Sequence, residues 1–177
     1  FMPPVLAVST IDHLELVSGL AVSRQGALSF GEGEHAQRVW GELVSGNYFA
    51  VLGVKPLLGR VFSLEEQGDK AGAHPVAVIS HRLWRNRFQA DPCVIGRTIR
   101  VNQRELTVIG VVPPEFGGLS PVQVFEVWAL LTMGPQLNVD DNRLLEHRGS
   151  RSLVAVARLK PGVSPEQARA EAAGLAP

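Results

Sequence analysis

Short apolar runs, separated by glycine, proline and polar residues, recur along most of the chain. Val76–Ile79 and Glu105–Val112 are rich in β-branched residues and bounded by turn-forming residues, which predicts two strands. Arg82–Gln89 instead carries its apolar residues at helical spacing, which predicts an amphipathic helix with arginines on its outer face. Ser80 stands just before this helix and is a suitable N-cap.

The N-terminal part of the chain predicts mainly strands. After a short helix over residues 11–17, Leu20–Ser23 and Ala27–Phe30 flank a polar Arg-Gln-Gly segment, which predicts a β-hairpin. Residues 31–34 predict a turn. Gln37–Ser45 then alternates in the manner of a strand whose two faces are both partly covered.

The remaining elements follow from cap, turn and strand signals. They are a short helix capped by Asn47 and ended by Gly53, a strand over Arg60–Phe62, a hairpin of Thr98–Val101 and Leu106–Ile109, strands over Val124–Leu131 and Leu153–Leu159, and a helix from Ser164. The three tryptophans, Trp40, Trp84 and Trp128, are predicted to lie in cores or at a subdomain junction, because none stands beside a convergent set of polar residues.

The charge balance argues against some classes of partner. The 17 basic and 17 acidic residues cancel, so no net field draws the chain towards nucleic acid or an anionic membrane. Cys93 is the single cysteine, so no internal disulfide can form, and its surroundings predict a small buried thiol. No apolar run reaches the roughly 20 residues that span a bilayer. Taken alone, these features predict a soluble, cytoplasmic chain.

Ser80 and His81 are the strongest candidates for catalysis. A hydrolase needs both side chains within hydrogen-bond reach of each other. Adjacent residues at a strand-to-helix junction rarely face one substrate, and the Gly-x-Ser-x-Gly motif is absent. The histidines, including the pair His74 and His81, lack the spacing of zinc ligands. We therefore predict no catalytic residues and no metal-binding site.

Three further motifs are better explained as turns or solvated surface. Gly31–Ala36 has the spacing of a dinucleotide fingerprint, but its glutamates would repel the phosphates and a strand follows it. Asp140–Asn142 lacks the glycine and the distal glutamate of a calcium-binding loop. The arginines within residues 82–87 lack the neighbouring aromatic side chains of a nucleic-acid surface. We assign no cofactor and no nucleic-acid partner.

Five short motifs occur in a fixed order in the middle of the chain: Gly46-Asn47-Tyr48-Phe49, Leu52-Gly53-Val54, Gly59-Arg60-Val61-Phe62, Ile95-Gly96-Arg97 and Val108-Ile109-Gly110-Val111. The series continues through Val127–Leu130 and then Val156–Ser164. In order and spacing, these motifs resemble the MacB-like extracytoplasmic domain of ABC transporter permeases of the MacB, LolC and FtsX type. The resemblance covers the chain from about Val39 to its end.

The resemblance implies an α+β fold with two subdomains. Residues 1–46 together with 120–177 would form a porter-like αβ subdomain, and residues 47–119 would form an inserted β-rich subdomain. The two would join near Ser45–Asn47 and near Gly117–Leu119, where glycine permits the dihedral changes of a hinge.

The resemblance also implies a function without catalysis. The chain would be a soluble piece, normally between two helices of the bacterial inner membrane, on the extracytoplasmic side. It would transmit the conformational cycle of a cytosolic ATPase for export or extraction of a substrate. The implied partners are that ABC ATPase subunit, a second permease copy, and a periplasmic adaptor or lipoprotein. Two alternatives stay open: a stand-alone extracytoplasmic ligand-binding or interaction module, which needs a defined pocket, and a hydrolase that uses Ser80 and His81.

Overall fold

The computed structural model describes residues 15–33, 36–67, 70–120, 122–137 and 153–174. Most of the helix predicted over residues 11–17 and the whole of Asp140–Asn142 lie outside these ranges, as does the end of the C-terminal helix. The described elements, in chain order, are β1 (Val17–Phe30), β2 (Gln37–Val44), α1 (Tyr48–Leu52), β3 (Leu58–Gly59), β4 (Val76–Ile79), α2 (His81–Phe88), β5 (Thr98–Val101), β6 (Arg104–Val111), β7 (Val127–Leu130), β8 (Val154–Leu159) and α3 (Pro165–Gly174). This mixture of a sheet with a few short helices is α+β, as predicted.

β1 is one continuous strand of 14 residues, so the hairpin predicted within residues 20–30 is wrong. Gly26 lies opposite Gly41 of β2, inside a regular antiparallel ladder, and does not turn the chain. Each half of β1 has its own neighbour: β8 pairs with the half before Ser23, and β2 pairs with the half after it. These long-range pairings override the local turn signal.

The strands form one mixed sheet that curls round and closes on itself. Its order is β2-β7-β4-β6-β5-β1-β8, and β1 also pairs with β2, so six of the strands form a closed ring. The pairing of β1 with β5, which closes the ring, involves one residue of each strand. Phe30 of β1 faces Val101 of β5, and Gly31 N–H donates to the Arg100 carbonyl at 2.9 Å.

Alternate residues of the ring point inward and form the main core. All of the following inward residues are buried: Leu28, Phe30, Val39, Leu43, Ala77, Ile79, Ile99, Val101, Leu106, Val108, Val127 and Ala129. Gly41 faces the same interior, where a Cβ would overlap the Leu28 side chain, so the site requires glycine. α2 adds to this core, since Leu83 is buried and the Phe88 ring lies edge-on to Phe30 at 6.5 Å.

Several local predictions are confirmed. Ser80 caps α2, because its Oγ accepts the Leu83 N–H at 2.9 Å. β5 and β6 form the predicted hairpin, and the turn residues Asn102 and Gln103 have φ values of 47° and 65°, the left-handed pair that two-residue hairpin turns favour. α1 also forms after Asn47, but the Asn47 side chain makes no capping hydrogen bond.

The two predicted subdomains contribute strands to the same ring. β4, from residues 47–119, pairs with β7, and β5 from the same segment meets β1. The division into a porter-like subdomain of residues 1–46 with 120–177 and an inserted subdomain of residues 47–119 stays a prediction. Two of the junction glycines are tightly packed: a Cβ on Gly46 would overlap the Ser63 carbonyl, and one on Gly118 would overlap the Phe125 ring. Close packing therefore explains these glycines without a hinge.

Candidate functional site

Glu42 is a fully buried acidic residue on the outer face of the ring. Strand alternation turns it away from the main core, to the same side as Val44. There it lies opposite Trp128 of the parallel strand β7 and beside Tyr48 of α1. A buried ionisable group needs hydrogen-bond partners to replace its lost hydration.

Four side chains donate hydrogen bonds to the Glu42 carboxylate. Tyr48 Oη and Trp128 Nε1 donate to Oε2 at 2.9 and 2.8 Å. Gln25 Nε2 and Ser23 Oγ donate to Oε1 at 3.3 and 3.5 Å. Because an ionised carboxylate offers about four acceptor sites, this set of donors matches it. One buried group thus joins β1, α1 and β7 to β2.

The electrostatics of this cluster favour a fixed arrangement. Burial, and then the negative charge of Glu42, raise the pKa of the Tyr48 hydroxyl. Tyr48 therefore stays protonated and keeps its role as a donor at physiological pH. The cluster sets several donors on one acceptor and does not pair a nucleophile with a base.

Aromatic rings pack around the Glu42 cluster and form a second, outer core. Phe49 of α1 lies 5.3 Å from the Tyr48 ring and 6.0 Å from the Trp128 ring. Phe62 and Phe116 lie 5.7 and 6.0 Å from Phe49. Edge-on and tilted contacts of this kind stabilise a core beyond the area they bury. The outer core therefore fixes α1 on the ring.

The first and last described strands meet at one end of the sheet. Leu159 of β8 faces Val17 of β1, and Lys160 N–H donates to the Leu16 carbonyl at 3.0 Å. Arg158 reaches from β8 to α1, where its Nε donates to the Val51 carbonyl at 2.6 Å. Carbonyls in the last turn of a helix have no donor within the helix, so Arg158 supplies one and adds a favourable cation.

A loop at the other end of the ring lies against the Glu42 cluster. This distal loop, residues 117–120 and 122–125, is joined at its base by the Phe125 N–H, which donates to the Gly117 carbonyl at 3.0 Å. It leads into β7, whose first residue, Val127, pairs with Gly41 of β2. Gly41 also pairs with Gly26 of β1, which is nine residues beyond Val17. At the rise of a β-strand, the path along β1 from Val17 to this level of the ring is about 30 Å. The loop exposes Leu119, Val122 and Val124.

Ser80 and His81 have separate roles in the structure. The Ser80 hydroxyl caps α2, and the His81 ring instead lies 5.6 Å from the Trp84 ring. Within the described ranges, no group of three or more His, Cys, Asp or Glu residues is placed to hold a metal ion.

The other sequence motifs fall on turns and surface. Gly31 and Gly33 have φ values of 104° and 53° in the turn between β1 and β2. Arg82 is exposed and pairs with Glu126 through Nε and Oε1 at 2.8 Å. Cys93 is exposed, so the prediction of a buried thiol is wrong. It lies in a 3₁₀ turn whose successive side chains diverge, and Val94 takes the buried position.

The three tryptophans have different environments. Trp128 is fully buried, and Trp84 is half-buried with its Nε1 donating to the Asp91 carbonyl at 2.8 Å. Trp40 is 39% exposed, so its assignment to a core is wrong. It lies further along the outer face of β2, where the Arg38 guanidinium stacks over its ring at 5.8 Å.

A shallow groove of about 320 Å³ lies beside β3 and β6. It is lined by Gly59, Arg60, Ile95, Gly96, Thr107, Val108 and Ile109. This lining is mostly aliphatic and backbone, whereas a ligand pocket combines apolar walls with a few convergent polar groups. The Arg60 side chain is engaged elsewhere, in a bidentate pair with Glu66.

Sequence reasoning missed the Glu42 cluster. The available signal was an acidic residue within an otherwise apolar strand face, next to Val44. Its partners come from residues up to 86 positions away, such as Trp128, and no short motif reports such a distance.

No helix among the described residues is long and apolar enough to cross a membrane. The described residues form a closed sheet in which Leu16 and Val17 lie beside Leu159 and Lys160. The chain belongs to the MacB-like periplasmic core domain family, whose family model matches residues 2–175. It is thus a periplasmic domain of an ABC transporter permease, a class that works with a cytosolic ATPase, as the resemblance implied.

Solved structures of two transporters share this fold. The periplasmic region of MacB from Actinobacillus actinomycetemcomitans matches with a TM-score of 0.70 at 17% identity, over 97% of this chain and 71% of that one. The extracellular domain of the noncanonic ABC-type transporter YknZ from Gram-positive bacteria matches with a TM-score of 0.68 at 13% identity, over 94% of this chain and 76% of that one. At these identities the similarity is one of fold. No curated protein sequence gives a significant match.

Proposed function

We propose that this domain transmits the conformational cycle of a cytosolic ABC ATPase across the membrane, for export or extraction of a substrate. The domain carries no catalysis of its own. Its partners are the ATPase subunit, reached through the membrane segments of the permease, a second copy of the permease, and a periplasmic adaptor or lipoprotein.

The relation of residues 15–17 and 159–160 to β1 is the observation that carries this proposal. Residues 15–17 and 159–160 lie side by side, so a movement of the flanking chain enters the domain at one place. β1 continues from there for 14 residues and joins the closed ring. A displacement applied at one end is therefore delivered to the far end by a single strand.

The packing of the domain supports a role as a stiff body. Its closed ring encloses a continuous apolar core, and the aromatic outer core fixes α1 on its surface. Close-packed interiors have low compressibility, so they pass on a displacement with little loss. A transmission element needs this stiffness, whereas an enzyme needs a constellation of reactive groups in a cleft.

Flexible insertions at two matched turns test the proposal. Gly162 (φ 84°) and Gly33 (φ 53°) both lie in open turns where an added Cβ meets no atom within 4 Å. An insertion of three residues, Gly-Ser-Gly, after Gly162 would separate β8 from the part of the chain that follows it. The same insertion after Gly33, at the far end of β1, is the control.

Export and ATP hydrolysis should be measured separately in vesicles that hold the intact permease and its ATPase. We expect the insertion after Gly162 to lower the substrate exported per ATP hydrolysed while nucleotide binding is unchanged. The insertion after Gly33 should leave this ratio near that of the parent. Equal ratios for the parent and both insertions would refute transmission through residues 15–17 and 159–160.

A further inference from the structure

We propose that helix α1 couples strands β1 and β8 to the distal loop, with Arg158 and Glu42 as the positioning residues. The inference rests on the proposed function and deepens it. It names the side chains through which a displacement at residues 15–17 and 159–160 reaches the distal loop.

The first step joins β8 to the C-terminal end of α1. Arg158 is held at two points: its carbonyl accepts the Ser18 hydroxyl at 3.1 Å, and its Nε donates to the Val51 carbonyl at 2.6 Å. The guanidinium also lies against Gly53, where a Cβ would come within 3.0 Å of Nη2. Gly53 ends the helix in the left-handed conformation, so the cation sits at the negative end of the helix dipole.

The second step joins the N-terminal end of α1 to β1. The Asn47 side chain donates from Nδ2 to the Leu20 carbonyl at 2.8 Å and accepts the Ser45 hydroxyl at Oδ1, also at 2.8 Å. Ser45 Oγ in turn accepts the Val22 N–H at 3.0 Å. α1 is therefore fastened to the terminal strands at both of its ends, and it must follow them when they move.

The third step joins α1 to the distal loop through a carboxylate. Tyr48 and Trp128 donate to the same oxygen, Oε2 of Glu42. A Cβ on Gly118 would lie 3.4 Å from that oxygen and would overlap the Phe125 ring. The base of the loop thus packs directly on the cluster, with no room for a further side chain.

The chemistry of the cluster makes this contact sensitive to displacement. A carboxylate only accepts hydrogen bonds, and in a buried site a donor that loses it finds no water as a substitute. A shift of Tyr48 would therefore disturb Glu42 and, through it, Trp128 and Gly118. Coupling of this kind is a free energy shared between α1 and the distal loop. A change that destabilises α1 should therefore also destabilise the base of the loop.

Hydrogen exchange on the 177-residue chain tests the coupling without a transport assay. Arg158→Met removes the donor and keeps most of the aliphatic stem. We expect the α1 amides to exchange faster, and the Phe125 and Glu126 amides at the base of the loop to exchange about tenfold faster. Arg85→Met, which removes an exposed arginine from α2, is the matched control and should change neither region.

The result for the loop decides the proposal. Faster exchange confined to α1, with Phe125 and Glu126 as slow as in the parent, would overturn it. Arg158→Lys keeps a cation at the helix end and should give an intermediate rate. If Arg158→Met does not fold, the exchange of Phe125 and Glu126 in Arg158→Lys is used instead, and a rate equal to that of the parent overturns the proposal.

A double variant tests whether the contacts lie on one path. Tyr48→Phe removes the hydroxyl that reaches Glu42 and should also speed exchange at the loop base. In the double variant with Arg158→Met, loop exchange should be no faster than in the quicker single variant. Effects that multiply would mean two independent contacts and would overturn the path through α1.

The two proposals fail in different ways. If α1 does not couple the two ends, the remote exchange effect is missing, while the insertion after Gly162 still lowers export. If the domain does not transmit the ATPase cycle, that insertion leaves export unchanged, while the exchange pattern of Arg158→Met is unaffected.

Discussion

The indole N–H of Trp128 donates to Oε2 of Glu42 at 2.8 Å, and both side chains are fully buried. The two residues lie directly opposite each other in the parallel strands β7 and β2. A slip of β2 by one residue would turn the carboxylate into the apolar interior of the ring and away from its donors. The pair therefore fixes the register in which β2 and β7 join.

We expect Glu42→Ala to lower the free energy of unfolding by about 3–5 kcal/mol. The change leaves a cavity and removes the acceptor of Tyr48 and Trp128 inside the outer core. Glu42→Gln should cost less, about 1–2 kcal/mol, because its amide oxygen can still accept from both and its NH₂ group can face the Ser23 hydroxyl. Urea denaturation followed by circular dichroism measures both. An alanine variant as stable as the glutamine variant would contradict this account.

Of two substitutions on α2, Leu83→Ala should lower the free energy of unfolding more than Trp84→Phe, although leucine is the smaller side chain. Leu83 is 3% exposed, so Leu83→Ala should cost about 2–5 kcal/mol through the cavity it leaves. Trp84 is half-buried, and Trp84→Phe removes its hydrogen bond to the Asp91 carbonyl, which we expect to cost about 1 kcal/mol. The same denaturation experiment ranks the two variants. A larger loss for Trp84→Phe would mean that α2 packs through Trp84.

A disulfide across β4 and β7 tests the predicted division into two subdomains. Ala77 and Ala129 face each other in the antiparallel pair, and they belong to residues 47–119 and to the flanking segment respectively. The variant Ala77→Cys with Ala129→Cys would be made with Cys93→Ser, because Cys93 is exposed. Opposite residues of adjacent strands are close to the spacing a disulfide needs.

The oxidised and reduced permease should export substrate equally well. The ring is continuous across the two segments, and a bridge inside a body that moves as one changes nothing. Movement of residues 47–119 against the flanks predicts the opposite result, with export lost on oxidation and restored by a reductant. That result would support hinges near Gly46 and Gly118.

The Arg60–Glu66 pair should contribute stability that depends on pH. Hydrogen bonds from Arg60 lower the pKa of Glu66 below its ordinary value of 4.5, the Ser63 N–H acts in the same direction, and partial burial opposes them. Because the folded-state pKa is lowered, this contribution is complete above about pH 4.5 and is lost as the pH falls through the folded-state value.

Glu66→Gln isolates this contribution. At pH 7 it should destabilise the domain by about 0.5–1 kcal/mol, since the Arg60 side chain is largely exposed and the pair is partly screened. The difference from the parent should shrink at acid pH. A difference that is the same at pH 7 and below the folded-state pKa would show that the charge of Glu66 is not involved.

The sequence by itself determined the elements whose signals are local. The Ser80 cap of α2 and the turn at Asn102 and Gln103 follow from neighbouring residues. The five motifs also indicated the family, which the family model confirms. Each motif is weak, but five of them in one order and spacing rarely occur by chance.

Only the tertiary structure decided how these elements are joined. The Arg-Gln-Gly segment after Ser23 has the composition of a turn, yet β2 and β8 hold it inside one long strand. From the sequence alone, Glu42 could equally lie on the surface. It is buried at the centre of the outer core because the fold brings Trp128 and Tyr48 within hydrogen-bond distance of it. Both outcomes depend on pairings between distant residues, whose free energy exceeds local preference and leaves no local signal.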